Sequence, residues 1–163
     1  MKKMAFHYKQ KNFTCGPASL RIAIQTLIEH DISEELLIEL IGANEESGTP
    51  LFVFEANLTE LLAKICLLQN IPNNFEFTIK QNSTIDELSA LDMDGYCIIL
   101  NYTKPDDQPH WAALKSINSK VITLMDPDFG PNYQYQIEKF NWKGGSKTRP
   151  TNRAFIAIRY RNS

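Results

Sequence analysis

The chain is short of charge of either sign in excess: 17 Lys+Arg stand against 19 Asp+Glu over 163 residues, a formal net charge of −2. The scattered Lys and Arg lack the basic surplus on which non-specific nucleic-acid binding draws, so a nucleic-acid partner is not expected. Cysteine is scarce. Cys15, Cys66 and Cys97 are too few and too far apart for a disulfide framework, no two form a CxxC zinc pair, and an odd count leaves at least one free thiol. Long apolar runs are missing as well: stretches such as Ile98 to Leu100 fall far short of a membrane span. Lys2 and Lys3 are followed by His7, Tyr8, Lys9, Gln10 and Lys11, with none of the apolar core of a signal peptide. With no Pro/Gly/Ser-rich linker, repeat or low-complexity tract, residues 1–163 are expected to form a single domain, in a reducing, cytoplasmic setting. What is present is a globular balance, 43% apolar and 22% charged, enough to bury a core.

The apolar period changes along the chain. To about residue 70 it is helical. Leu20, Ile22, Ala23, Ile24, Leu27 and Ile28 keep a helical stripe behind Pro17, which suits a first helical turn, so Cys15 falls at or just before a helix N-terminus. Ser33, with Glu34 and Glu35 after it and Gly42 beyond, brackets a second short helix. Thr49-Pro50 repeats the pattern of a cap followed by proline and opens an apolar stretch to about Leu68, either one helix or two with Asn57 capping the second. Thereafter strands dominate. Phe75, Phe77 and Ile79 alternate, a short helix follows Thr84, and Tyr96 to Tyr102 reads as a buried strand. Trp111–Ile117 and Val121–Met125 flank Asn118-Ser119-Lys120 as a hairpin would. Asp128 to Asn132 reads as a Gly/Pro loop, and Ala154 to Tyr160 as a last strand. Helices first and a mostly antiparallel sheet after them define an α+β fold.

Chemistry is concentrated in few residues. Cys15, in Thr14-Cys15-Gly16-Pro17, stands where a helix dipole and unpaired N–H groups favour a reactive anionic sulfur and can receive an oxyanion, although a buried cysteine is often mere core. His110 lies where a turn-rich loop enters a strand, and Asp126 ends the next strand. In a hairpin the two are neighbours, while Asp126-Pro127 alone reads equally as a turn starter. A thiol at a helix mouth with a histidine and an acid across a hairpin is the composition of a nucleophilic site.

Gln10, the blocks Phe13 to Leu20 and His110 to Leu114, and Asp126-Pro127 to Gly130, in this order, resemble the double-glycine leader peptidases, the bacteriocin-processing branch of the papain-like cysteine peptidases. Gly48-Thr49, Phe140 and Trp142-Lys143-Gly144 fit the same pattern. The resemblance implies a papain-like fold with a helical lobe, a sheet lobe and a cleft between them. It implies Cys15 as nucleophile, His110 as general base and acid, Asp126 as the residue orienting the imidazole, and Gln10 as oxyanion-hole donor. The Gln10-to-Cys15 interval is one residue shorter than the family's, and Asn12 is the alternative donor. The implied activity is thiol-dependent hydrolysis of a peptide or isopeptide bond, with leader removal at a small-residue site as the family's form of it. It needs a peptide or protein substrate and neither metal nor organic cofactor. Acyl transfer or side-chain deamidation by the same triad, and a non-catalytic peptide-binding module, are the alternatives.

The remaining candidates have plainer expectations. Cys66 and Cys97 fall within apolar helix and strand patterns and are expected in the core, His7 and His30 are expected to be structural, and Asp106 and Asp107 solvated. Trp111 suits core or cleft wall equally, and Phe129, Tyr133 and Tyr135 are expected to pack on the sheet.

Overall fold

The computed structural model describes residues 15–43 and 48–162. His7, Gln10 and Asn12 lie outside them.

Three helices come first: α1 (Cys15–Ile28), α2 (Glu34–Ile41) and α3 (Leu51–Gln69). Helix α2 has the expected ends: the Ser33 hydroxyl accepts from the Leu36 N–H at 3.2 Å, and Gly42 closes it in the left-handed region at φ 84°. Helix α3 is continuous. Asn57 caps nothing within it; its Nδ2 donates to the Ile41 carbonyl at 2.8 Å and ties α3 to the end of α2. The expected Thr49 cap is also displaced: Pro50 holds the N-cap position of α3 and supplies no side-chain hydrogen bond.

The strands are β1 (Phe75–Lys80), β2 (Cys97–Thr103), β3 (Pro109–Ile117), β4 (Val121–Asp126), β5 (Gly130–Gln136), β6 (Lys143–Gly145), β7 (Pro150–Asn152) and β8 (Phe155–Tyr160), with helix α4 (Ile85–Met93) between β1 and β2. Six of them form an antiparallel sheet in the order β1-β8-β2-β3-β4-β5, and β6 pairs with β7 as a separate hairpin. The Thr84 hydroxyl caps α4 through the Glu87 N–H at 3.1 Å, as its sequence predicts.

The near-continuous apolar run of β2 has a simple cause: both faces of the sheet are covered. Cys97, Ile99, Trp111, Ala113, Met125, Ile156 and Ile158 join one core with the side chains of α1, α2 and α3. Ile98, Leu100, Tyr102, Ala112, Leu114, Leu124 and Phe155 join a second with Leu88 of α4 and Trp142. A strand buried on two faces loses polar alternation. Helix α1 is itself buried almost all round, packed on β2, β3 and β8, which fixes its first residue against the sheet. Among the described residues, no helix is long and apolar enough to cross a membrane.

Candidate active site

The mouth of α1 is held against the sheet by contacts made at very short range. A Cβ on Gly16 would stand 2.9 Å from Thr49 Cβ and Oγ1 and 3.2 Å from Phe54 Cζ, so only glycine lets Thr49 come this near the residue after Cys15. The Thr49 carbonyl in turn accepts the Trp111 indole N–H at 2.8 Å, and the Trp111 ring meets Phe54 edge-on at 5.1 Å. Trp111, 3% exposed, is thus a core residue that couples the helices to β3. Its chain neighbour His110 is thereby set beside Cys15.

His110 and Asp126 stand side by side across the β3-β4 hairpin. His110 Nε2 lies 2.8 Å from Asp126 Oδ1, both groups are buried, and Cys15 is a hydrogen-bond partner of the same imidazole. With Nε2 turned to the carboxylate, Nδ1 is the nitrogen left for the thiol. Burial opposes charge on the ring, but the hydrogen bond to Asp126, followed by the bond to and charge of Cys15, outweighs it and pushes the His110 pKa up to about 9. Burial alone would raise the Asp126 pKa; the hydrogen bond to His110 and its positive charge, the Tyr102 hydroxyl and the Phe129 N–H hold it below the usual carboxylate range.

Asp126 is both things its sequence allowed. Its Oδ1 accepts from the backbone N–H groups of Asp128 at 2.8 Å and Phe129 at 3.0 Å, capping the turn into β5, while the same oxygen faces His110. That capped turn is tight enough for β5 to begin at Gly130, inside what reads from sequence as a loop.

Two residues that motif reasoning passes over complete the arrangement. Tyr102, directly opposite His110 in the β2-β3 register, donates its hydroxyl to Asp126 Oδ2. Asn101 donates from Nδ2 to the His110 carbonyl at 3.2 Å and accepts from the Thr151 hydroxyl at 2.8 Å. The signal for both was a polar Asn-Tyr-Thr end on the apolar run that begins at Cys97. Gly144 is shaped to this network: a Cβ there would lie 2.0 Å from Asn101 Oδ1. Gly144→Ala is therefore expected to destabilise the protein by about 1–3 kcal/mol, read by thermal or urea unfolding.

The raised His110 pKa has a signed consequence for stability. Its contribution is complete below the ordinary value of 6.5 and is lost as the pH rises through about 9. The melting temperature is expected to fall across that window, and His110→Gln to flatten the fall.

Cys66 and Cys97 are buried core thiols, and burial pushes the Cys66 pKa up. His30 is exposed beyond α1, and Asp106 and Asp107 are exposed in the β2-β3 loop. Of the aromatic group, Tyr135 packs beside Tyr102 at 5.5 Å, while Phe129, 39% exposed, stacks on Tyr133 at 4.8 Å. Lys104, 2.7 Å from Asp128, lies 5.3 Å from the Phe129 ring.

Helices at the N-terminal side packed on a mostly antiparallel sheet make this an α+β chain with the papain-like peptidase fold. Three solved structures share it. The peptidase domain of Streptococcus ComA, a bifunctional ABC transporter involved in quorum sensing, is 19% identical with a TM-score of 0.63, over 97% of this chain and 96% of that one. A candidate C39-like peptidase from Bacillus anthracis is 14% identical with a TM-score of 0.67, over 100% of each chain. A double-glycine motif protease from an AMS/PCAT transporter, solved with its leader peptide, is 15% identical with a TM-score of 0.58, over 100% and 99%. At these identities the likeness is one of fold. No family model and no curated protein matches the chain by sequence.

Proposed function

We propose that this chain is a cysteine peptidase whose reacting group is Cys15, His110 and Asp126, within one domain spanning residues 1–163. The observation that carries the reading is a single one: a buried imidazole held between a carboxylate at 2.8 Å and the thiol at the mouth of α1. In the proposed reaction His110, kept protonated by its raised pKa, already holds the proton of the Cys15 thiol as Sγ attacks the peptide carbonyl carbon. It then passes that proton to the departing amine as the C–N bond breaks and a thioester remains. Water attacks the thioester, His110 takes its proton, and the acid product leaves as the thiol is restored. Asp126 holds the ring in orientation and balances its charge. The oxyanion is assigned to the Cys15 N–H, at a helix position with no intrahelical carbonyl to serve, and to Gln10.

The proposed substrate is a peptide or the flexible leader of a larger protein, cut after small residues. This rests on the resemblance of the cysteine block and on the leader peptide bound by one structural neighbour. The experiment is incubation of the protein with Gly-Gly-containing leader-type peptides, followed by product mass. Two fragments whose masses sum to peptide plus water support hydrolysis. An intact chain carrying the mass change of deamidation, a product joined to an added amine, or binding without turnover each contradicts it.

A further inference from the structure

Asp126 has no exposed surface, and its two oxygens are served very differently. Oδ1 receives the His110 ring and the N–H groups of Asp128 and Phe129. Oδ2 receives the hydroxyl of Tyr102, a side chain that is itself fully buried. The Tyr102 ring is fixed independently of that bond: it stands edge-on to His110 at 5.7 Å and to Tyr135 at 5.5 Å, and lies tilted on Phe140 at 5.1 Å. A phenol has one proton to give, and an ionised carboxylate can only accept. The Tyr102 proton is therefore committed to Asp126, and in the 3.3 Å contact between Tyr102 and Tyr135 the donor is Tyr135. The result is a chain of donors running from the half-buried Tyr135 through Tyr102 to the carboxylate.

We propose that Tyr102 is a positioning residue of the reacting group: it keeps Asp126 ionised and fixed about its Cβ–Cγ bond, so that the proton shared with His110 stays on the imidazole. This rests on the reading of Cys15, His110 and Asp126 given above. The backbone N–H groups already hold Oδ1 in the turn, so Tyr102 acts mainly on charge. A buried carboxylate oxygen that loses its donor is a poorly stabilised anion and takes up a proton at higher pH. A neutral Asp126 then no longer balances an imidazolium. Burial followed by the charge of Asp126 drives the Tyr102 pKa far upward, so the phenol remains a donor throughout the working range. Among the described residues, the other titratable or charged groups facing this cluster include Cys15 on α1, Lys104 and Asp106 at the β2-β3 loop, Asp128 in the β4-β5 turn, and Tyr133 and Tyr135 on β5. Each is present in both proteins compared below.

The test is Tyr102→Phe, which keeps the ring and its stacking and removes the hydroxyl. Two readouts are followed from neutral pH downward: the ¹³Cγ shift of Asp126, and the rate at which iodoacetamide alkylates Cys15, resolved by peptide mass. The Asp126 midpoint is expected to move up by about one unit, and the acid limb of alkylation to move with it. Superimposable Asp126 titrations in parent and variant overturn the role of Tyr102. Should Tyr102→Phe not fold, Tyr135→Phe removes the donor to Tyr102 and carries the same test, with a smaller upward shift supporting the proposal and none overturning it. The underlying reading fails separately: alkylation of Cys15 in the parent protein would then be indifferent to His110→Ala, whatever Asp126 does.

Discussion

Cys15→Ala is expected to lower peptide turnover by at least about 10⁴-fold while the protein melts close to the parent temperature. The two halves of that result have different causes. Cys15 is only half-buried, and the burial that anchors α1 comes from Leu20, Ile22, Ala23, Ile24 and Leu27. Loss of one sulfur at the helix mouth leaves that packing intact. No other thiol can stand in, because Cys66 and Cys97 are buried in α3 and β2. Turnover on leader-type peptides and a thermal melt, measured on one preparation, check both halves. An active Cys15→Ala protein would place the chemistry elsewhere.

Asp126→Ala should be costly in stability as well as activity. Among the described residues it leaves at least four donors facing an empty acceptor site: the His110 ring, the Tyr102 hydroxyl and the N–H groups of Asp128 and Phe129. Breaking a buried, hydrogen-bonded charge pair from one side costs about 3–5 kcal/mol, read as a lower urea midpoint. Asp126→Asn separates the two functions. It keeps a carbonyl oxygen for the turn and so recovers much of the stability, but it weakens the carboxylate hydrogen bond that does most to raise the His110 pKa, and activity is expected to fall by about 10²–10⁴-fold. Because the folded-state pKa of Asp126 lies below its ordinary value of 3.8, its contribution to stability is present above that value and fades as the pH drops beneath it. Asp126→Asn should therefore resist acid unfolding better, relative to its own neutral stability, than the parent protein does.

Much of this layout is local and can be read from the chain. Ser33, Gly42 and Thr84 end helices because their side chains or φ angles suit those ends without help from elsewhere. The polar Asn118-Ser119-Lys120 turn sets the β3-β4 register, and with it the meeting of His110 and Asp126. What escapes sequence reading depends on distant partners. Thr49-Pro50 looks like a cap, yet Thr49 is drawn to Gly16 and Trp111 by packing, and the cap position passes to Pro50. Asn57 looks like a second cap until Ile41, sixteen residues earlier, takes its amide. β5 is hidden because Asp126 compresses the turn before it, and β6 and β7 because three-residue strands carry too little alternation to register. Tyr102 reads as one more aromatic in a buried strand; only the pairing of β2 with β3 shows what its hydroxyl meets.

The most direct test of the central claim compares the chain's three thiols under one reagent. Iodoacetamide at limiting concentration and mildly acidic pH, with peptide mass mapping, is predicted to modify Cys15 well ahead of Cys66 and Cys97 in the folded protein. His110→Ala is predicted to remove most of that lead. Labelling of Cys15 that keeps its full rate without His110 would contradict the account.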